Sequence, residues 1–329
     1  MTVEELLARD MQTLVDRIET AKRLSTLGSG EQSIGSGATL VARLSSRVRS
    51  TFGLVFTARQ KRFNIEVVGA FDAMTRLVYD LRYQIEQLEH RHDTLLTDVE
   101  PPHFRSGTFD QGIWLQVNRN NEYQLPESFD PADVIIDIGA HIGSFAFACL
   151  RRGARRVEAY EPYPVNAELA RLNLARFGSR VTVHQKAVWR SDKIVPGLSF
   201  EYASGSLNTG GGNVLSSVGP PTIETVQLDA LITELLASTG AAKIRLLKVD
   251  CEGSEYPILM TSRKLHLVDA VYGEFHEGLA TITDQSRVPG VERFDRHTLG
   301  RCLTEQGFQV ELEEHHADPT LGLFFARRV

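Results

Sequence analysis

Cysteine is scarce in this chain of 329 residues, where Cys149, Cys251 and Cys302 are the whole complement. An odd and widely spaced set offers no disulfide framework and no metal-ligand spacing, which points to a reducing compartment. Long apolar runs are missing as well. No stretch approaches the ~20 residues a helix needs to span a bilayer. The opening MTVEELLARD is acidic and amphipathic, unlike the basic and then apolar start of a secretory signal. The expectation is a cytoplasmic protein. Positive charge is not in excess either: the formal net charge of -6 gives the whole chain no pull toward nucleic acid. What remains is ordinary globular material, 42% hydrophobic and 24% charged, enough for a sizeable core.

Two prolines, Pro101 and Pro102, divide the chain into a helical, coiled-coil extension (1–100) and a main domain (101–329). Thr2 to Leu27 reads as helix, and GSGEQSIGSG (28–37) as a flexible linker. From Phe63 to about His92, the residues Val67, Phe71, Met74, Val78, Leu81, Ile85 and Leu88 follow at alternating steps of 4 and 3. That heptad seam predicts a homodimer through the N-terminal helix, or else a helix packed on its own domain. Acidic residues are absent between Gly37 and Glu66, while Arg43, Arg47, Arg49, Arg59, Lys61 and Arg62 flank the apolar run Phe52 to Phe56. Residues 43–62 thus offer either peripheral contact with an anionic membrane or a solvated basic face.

Within the main domain, Ile113 to Val117 and the region around Tyr123 read as a short hairpin or extended pair. Strands are then expected at Val134–Ile138, Val157–Tyr160, Val181–Gln185, Ile244–Val249 and Ala270–Phe275, with helices after the first, second and fourth. A helix over Arg296–Gln306, ended by Gly307, leads into a closing hairpin of Phe308–Glu313 and Leu321–Ala326. This alternation predicts an α/β fold, a doubly wound, Rossmann-like sheet that binds ligands at the carboxyl ends of its strands.

The most informative stretch is VIIDIGAHIG, Val134 to Gly143. Its glycines, Gly139 and Gly143, let backbone approach a ligand, and the following helix start supplies free N–H groups. The spacing lacks the third glycine of a dinucleotide turn, and no lysine follows as in a phosphate-binding loop. Asp137, ahead of the first glycine, repels phosphate and suits a cationic ligand such as a sulfonium or an amine. The second strand ends in Ala-Tyr-Glu-Pro, placing Glu161 to accept both hydroxyls of a ribose.

In order along the chain stand DIGAHIGSFAF, AYEPYPVNAELARLNL, HQKAVWRSD, VQLDALI, LLKVDCEGSEYPIL and YGEFHEG. Together they resemble the FkbM family of S-adenosylmethionine-dependent methyltransferases, over roughly Tyr123 to the C-terminus. The KVDCEGSE block is the most specific of them. The resemblance implies a class I methyltransferase sheet with S-adenosyl-L-methionine as cofactor. It also implies O-methylation of a sugar, polyketide or other natural product, so the partner is a small-molecule or glycan acceptor. By the same resemblance, Asp137, Gly139 and Gly143 cradle the methionine portion and Glu161 binds the ribose. Pro162 and Tyr163 pack near the adenine, and Gln185, Lys186 and Ala187 border its rim. His141 stands where asparagine is frequent, which keeps its backbone role and leaves its side chain open.

A sugar hydroxyl is a poor nucleophile at neutral pH, so its methylation needs a base or a metal. The fourth strand delivers Lys248, Asp250 and Glu252 at alternate positions with Glu255 just beyond, and the fifth delivers Glu274 and His276. Asp250, Glu274 and His276 could hold Mg²⁺ across adjacent strands. Without a metal, His276 or Glu252 is the base and Lys248 an electrostatic support. The Gly-rich insertion from Lys193 to Glu224 reads as a lid over the acceptor. Three rivals stand beside the sugar O-methyltransferase: a macrolide or polyketide O-methyltransferase, a non-catalytic scaffold, and a dehydrogenase, the last disfavoured by the missing glycine.

Overall fold

The computed structural model describes residues 102–199, 208–212, 222–277, 280, 282–315 and 318–328. The coiled-coil seam, the basic segment 43–62 and most of the 193–224 insertion lie outside them. No described helix is long and apolar enough to cross a membrane.

The first described helix is α1 (Asp110–Asn118), where the sequence reading places an extended pair. The residues α1 buries are Asp110, Trp114 and Val117, spaced as one helical face. Ile, Trp and Val favour strands, but tertiary packing overrides that preference. Trp114 packs on Phe147 at 4.7 Å and edge-on to Phe104 at 5.7 Å.

Next comes β1 (Val134–Ile138), buried at every residue. Val134, Ile136 and Ile138 pack into one apolar cluster and Ile135 into the other, so the strand is covered on both faces, as a central parallel strand must be. The chain continues through α2 (Ser144–Arg151), β2 (Arg156–Tyr160), α3 (Pro164–Leu174) and β3 (Val181–His184). It then passes β4 (Ala187–Trp189), β5 (Gly197–Leu198), β6 (Ile223–Gln227) and α4 (Leu228–Thr239). The second half holds β7 (Leu246–Val249), α5 (Glu255–Thr261), β8 (Ala270–His276), α6 (Arg296–Glu305), β9 (Phe308–His315) and β10 (Asp318–Arg328).

The main sheet has the order β3-β2-β1-β7-β8-β10-β9. It is parallel from β3 to β8, and β10 runs antiparallel to both neighbours. This is the expected doubly wound sheet with its closing antiparallel hairpin. The reversal of strand order between β1 and β7 opens a crevice at their carboxyl ends.

Two features were not expected from the sequence. Helix α4 buries Leu228, Leu231, Ile232 and Leu235, and it ends on Gly240 in the left-handed conformation. A small side sheet of order β4-β6-β5 frames both ends of the insertion. Gly197–Leu198 pairs antiparallel with Ile223–Glu224, so the segment is held at its roots rather than unsupported.

Candidate functional site

The cleft lies at the carboxyl ends of β1, β2, β7 and β8. Its walls include Gly139, Ala140, His141, Glu161, Pro162, Lys186 and Ala187 on one side. Tyr123, Lys248, Asp250, Glu252 and Glu274 line the other. Asp137, Gly143, Tyr163, Gln185 and His276 are not among the lining residues, and β3 stops at His184, leaving Gln185 exposed.

The glycine turn is tight for a reason internal to the protein. Gly139 has φ +75°, and a Cβ there would collide with the Asp250 carbonyl oxygen. A Cβ on Gly143, φ +89°, would come within 2.9 Å of Leu174 Cδ1. The first glycine therefore lets β1 close against the β7 loop, and the second lets α2 close against α3.

Asp137 is fully buried beneath this turn. It pairs in register with Lys248 on β7, whose Nζ lies 3.4 Å from Asp137 Oδ1 and donates to Gly139 O at 2.6 Å. Burial pushes the Asp137 carboxyl up, and Lys248 opposes that shift. Burial also works against the Lys248 charge, but Asp250 and Asp137 outweigh it and raise its pKa. Lys248 thus ties the turn to both acids.

Glu161, at the end of β2, is buried. Its Oε2 accepts from His141 N at 2.8 Å and its Oε1 from Tyr163 N at 2.9 Å. The Asn166 side chain also hydrogen-bonds this carboxylate, which keeps lone-pair capacity for a ribose hydroxyl. Burial pushes the Glu161 carboxyl up to about 7, against those hydrogen bonds.

The opposite wall gathers titratable groups. His276 is fixed by Glu255: Oε1 accepts from His276 N at 2.8 Å and lies 3.3 Å from Nδ1. Its Nε2 faces Glu252 at 3.7 Å, Glu274 at 3.8 Å and Asp250 at 4.0 Å. One ligand atom each from Asp250, Glu274 and His276 can be chosen so that all lie within 4.8 Å of one another. Burial lifts Glu252 to about 7 and Glu274 to about 8. Burial opposes a charged His276, yet Glu255 and the other acids raise it well above its ordinary value. Glu252 itself sits at φ +52°, a backbone conformation that non-glycine residues seldom hold.

Tyr123 and Glu122 belong to this wall and had no motif to announce them. Tyr123 Oη donates to Asp250 Oδ2 at 3.0 Å from 127 positions away, and its ring faces Lys248 Nζ at 5.8 Å. Glu122 is pushed up to about 7 by burial and by Asp250. Glu255 did have a signal, lying at the end of KVDCEGSE, but its task of holding His276 shows only in three dimensions.

Comparison with known proteins adds the family. Residues 137–300 match the methyltransferase FkbM domain. The 31-O-demethyl-FK506 methyltransferase FkbM of Streptomyces tacrolimicus is 32% identical over 156 residues, covering 39% of this chain and 59% of that relative. The chain thus matches less than two thirds of the relative's length. Among solved structures, the N-terminal domain of EvdMO1, crystallised with SAH and D-fucose, aligns with 14% identity and a TM-score of 0.38, covering 74% of this chain and 97% of that one. The METTL16 methyltransferase domain aligns with 11% identity and a TM-score of 0.34, covering 60% and 59%. At such scores the superposition is loose, and the fold assignment rests on the strand order itself.

Proposed function

We propose, for a chain that belongs to the FkbM methyltransferase family through residues 137–300, that it methylates a hydroxyl on a sugar at the expense of S-adenosylmethionine. One observation carries the reading: two carboxylates and an imidazole converge beside the glycine turn. The cofactor, when bound, supplies an electrophilic methyl group on a sulfonium. The residues fit it. Glu161 has free lone pairs for a ribose, the turn is a cradle closed to side chains, and buried carboxylates favour a cation.

The acceptor half of the cleft offers Glu122, Asp250, Glu252 and Glu274, acceptors for the several hydroxyls of a sugar. Glu252, pushed up to about 7 by burial, is placed to take the acceptor proton, and the raised His276 beside it, oriented by Glu255, offsets the negative charge. The donor set also fits a hard divalent cation such as Mg²⁺, with Asp250, Glu274 and His276 as ligands. It would supply Lewis acidity toward the hydroxyl and offset the crowded negative charge. Transfer of labelled methyl to a panel of glycosides, with and without chelator, tests both parts. No product with any sugar would overturn the sugar reading, and full turnover in excess chelator would overturn the metal.

A second reading, methylation of a polyketide hydroxyl, draws support from the activity for which the Streptomyces relative is named. The same panel with macrolide acceptors separates the two. We further propose that the 63–92 seam makes a homodimer. Light scattering on the full chain should then give twice the monomer mass.

A further inference from the structure

A second cavity, of about 380 Å³, lies at the amino ends of the central strands, at the opposite end of the sheet from the cleft. That volume falls within the usual range for small-molecule sites, about 300 to 1,000 Å³. Leu246 begins β7, Ala270 begins β8, and Arg327 and Arg328 end the antiparallel β10. Ala270 pairs in register with Arg327 there. The floor of the cavity is apolar: Phe129, Leu246, Ala270 and the Tyr272 ring line it and are buried. None of its lining residues belongs to the methyl-transfer cleft.

The rim is cationic. Lys243, Arg245, Arg327 and Arg328 meet one lining carboxylate, Asp269. Asp133 and Glu311 face Arg245 and Arg327 from nearby, and the described cations still outnumber these acids. Their pairing is loose. Arg245 Nε lies 3.7 Å from Asp133 and its Nη1 4.0 Å from Asp269, beyond hydrogen-bond reach. Lys243 Nζ is 3.2 Å from Asp269. Half-exposed pairs of this kind contribute little, so an anion can displace them at small cost. Arg327 is held more firmly. Its Nε donates to Tyr272 Oη at 2.8 Å, Nη2 to Gln124 Oε1 at 3.0 Å and Nη1 to Glu311 Oε2 at 3.5 Å. Two of its five N–H donors remain, and the Tyr272 ring, 5.0 Å away, backs the guanidinium. Arg328 donates to the carbonyls of Leu265, Val268 and Gln306, so it adds mainly its charge.

We propose that this cavity is a second ligand site, for a small organic anion: a phosphate monoester or carboxylate carried on an apolar ring. The ring covers Phe129, Leu246 and Ala270. The anion takes N–H donors from Arg245 and Arg327, with Lys243 as a point charge beside them. A bare inorganic anion leaves the apolar floor uncovered, and a neutral ring leaves the donors unanswered, so each alone binds weakly. A sulfonium, being cationic, is repelled by this rim. The site is therefore separate from methyl transfer, and the methyltransferase reading plays no part in it.

The test is calorimetry on the full-length protein with four probes: naphthyl phosphate, naphthoate, the neutral naphthalenemethanol and inorganic phosphate. At least one of the two naphthyl anions should bind about tenfold or more tighter than the neutral alcohol and inorganic phosphate, and the tighter of the two names the head group. Arg245→Gln should weaken that anion about tenfold, because charge-assisted hydrogen bonds are lost. Lys243→Gln should weaken it roughly threefold, as a point charge half in water should. Both side chains are half-exposed, so the variants should keep the wild-type Tm. Saturating S-adenosylhomocysteine should leave the affinity for the anion unchanged. Binding of neither anion, equal binding of the neutral alcohol, or unchanged affinity in both variants would overturn the site. So would displacement of the anion by S-adenosylhomocysteine, which would put it in the methyl-transfer cleft. Failure of the wild type to bind S-adenosylhomocysteine would instead overturn the methyltransferase reading and leave the anion measurements to decide the second site.

Discussion

On the β1–β2 side of the cleft, the groups facing a ligand are main-chain atoms and side chains whose partners are already fixed. Glu161 holds two backbone N–H groups, and Gly139 is pressed against Asp250. On the β7–β8 side, Asp250, Glu252, Glu274 and His276 crowd one another at 3.7 to 4.0 Å around Nε2. The first wall is set by steric fit, the second by an unbalanced set of charges. Binding can be built from rigid backbone, whereas proton removal needs groups near their titration points. Each wall should therefore fail differently when perturbed.

The largest effect is expected at Gly139, where the two walls touch. Gly139→Ala adds a Cβ at φ +75° against the rigid Asp250 carbonyl. It should cost about 3 kcal/mol or more of stability. Gly143→Ala meets the Leu174 side chain, at 2.9 Å from Cδ1 and 3.0 Å from Cγ, rather than a rigid carbonyl, and should cost about half as much. Urea midpoints measure both. Equal midpoints would mean that steric closure of the turn is not what the first glycine provides.

Asp250→Asn perturbs chiefly the charged wall. It keeps the shape but removes the charge that pairs with Lys248 and faces His276. Turnover should fall on the order of 10²-fold, with S-adenosylhomocysteine affinity within about threefold of wild type. A parallel loss of affinity would erase the division between the walls.

How much of this was legible in the sequence follows the same division. Strand β1 was readable end to end because a central parallel strand is a continuous apolar run. The acid at the end of β2 follows from strand position alone. Helix α1 was misread because its burying residues are strand formers, and the side sheet β4-β6-β5 escaped because its strands are short. The glycines were legible but their reason was not, since the atom that excludes a Cβ belongs to Asp250, far along the chain. Tyr123 could not be read at all, because nothing local marks a tyrosine that reaches an aspartate 127 positions away.

The crowded charges also set a pH dependence. Glu122, Glu161 and Glu252 are raised to about 7 and Glu274 to about 8, burial being the first cause in each. A carboxyl with a raised folded pKa binds its proton more tightly when folded. Its contribution is fully present below the ordinary value of 4.5 and is lost as pH climbs to 7 or 8. His276, also raised, acts in the same direction, losing its contribution as pH rises through its folded value. The Tm of ligand-free protein should therefore fall by several degrees from about pH 5.5 to about pH 8.5. Glu274→Gln should flatten that slope. A Tm that rises across the interval would mean these acids are ionised in the fold and balanced by some other charge.

The smallest effect, and the sharpest for the first wall, concerns Glu161. Glu161→Ala removes the two acceptors assigned to the ribose, and should weaken S-adenosylhomocysteine about tenfold. Truncation also frees His141 N and Tyr163 N, so a loss of affinity alone could come from a loosened turn. The 2′-deoxy form of the ligand separates the causes. Wild type should prefer the full ribose severalfold, because a site built to accept a hydroxyl loses that bond with the deoxy form. Glu161→Ala should bind both forms equally. If the variant weakens both ligands and still distinguishes them, Glu161 shapes the turn and the ribose is read by another group.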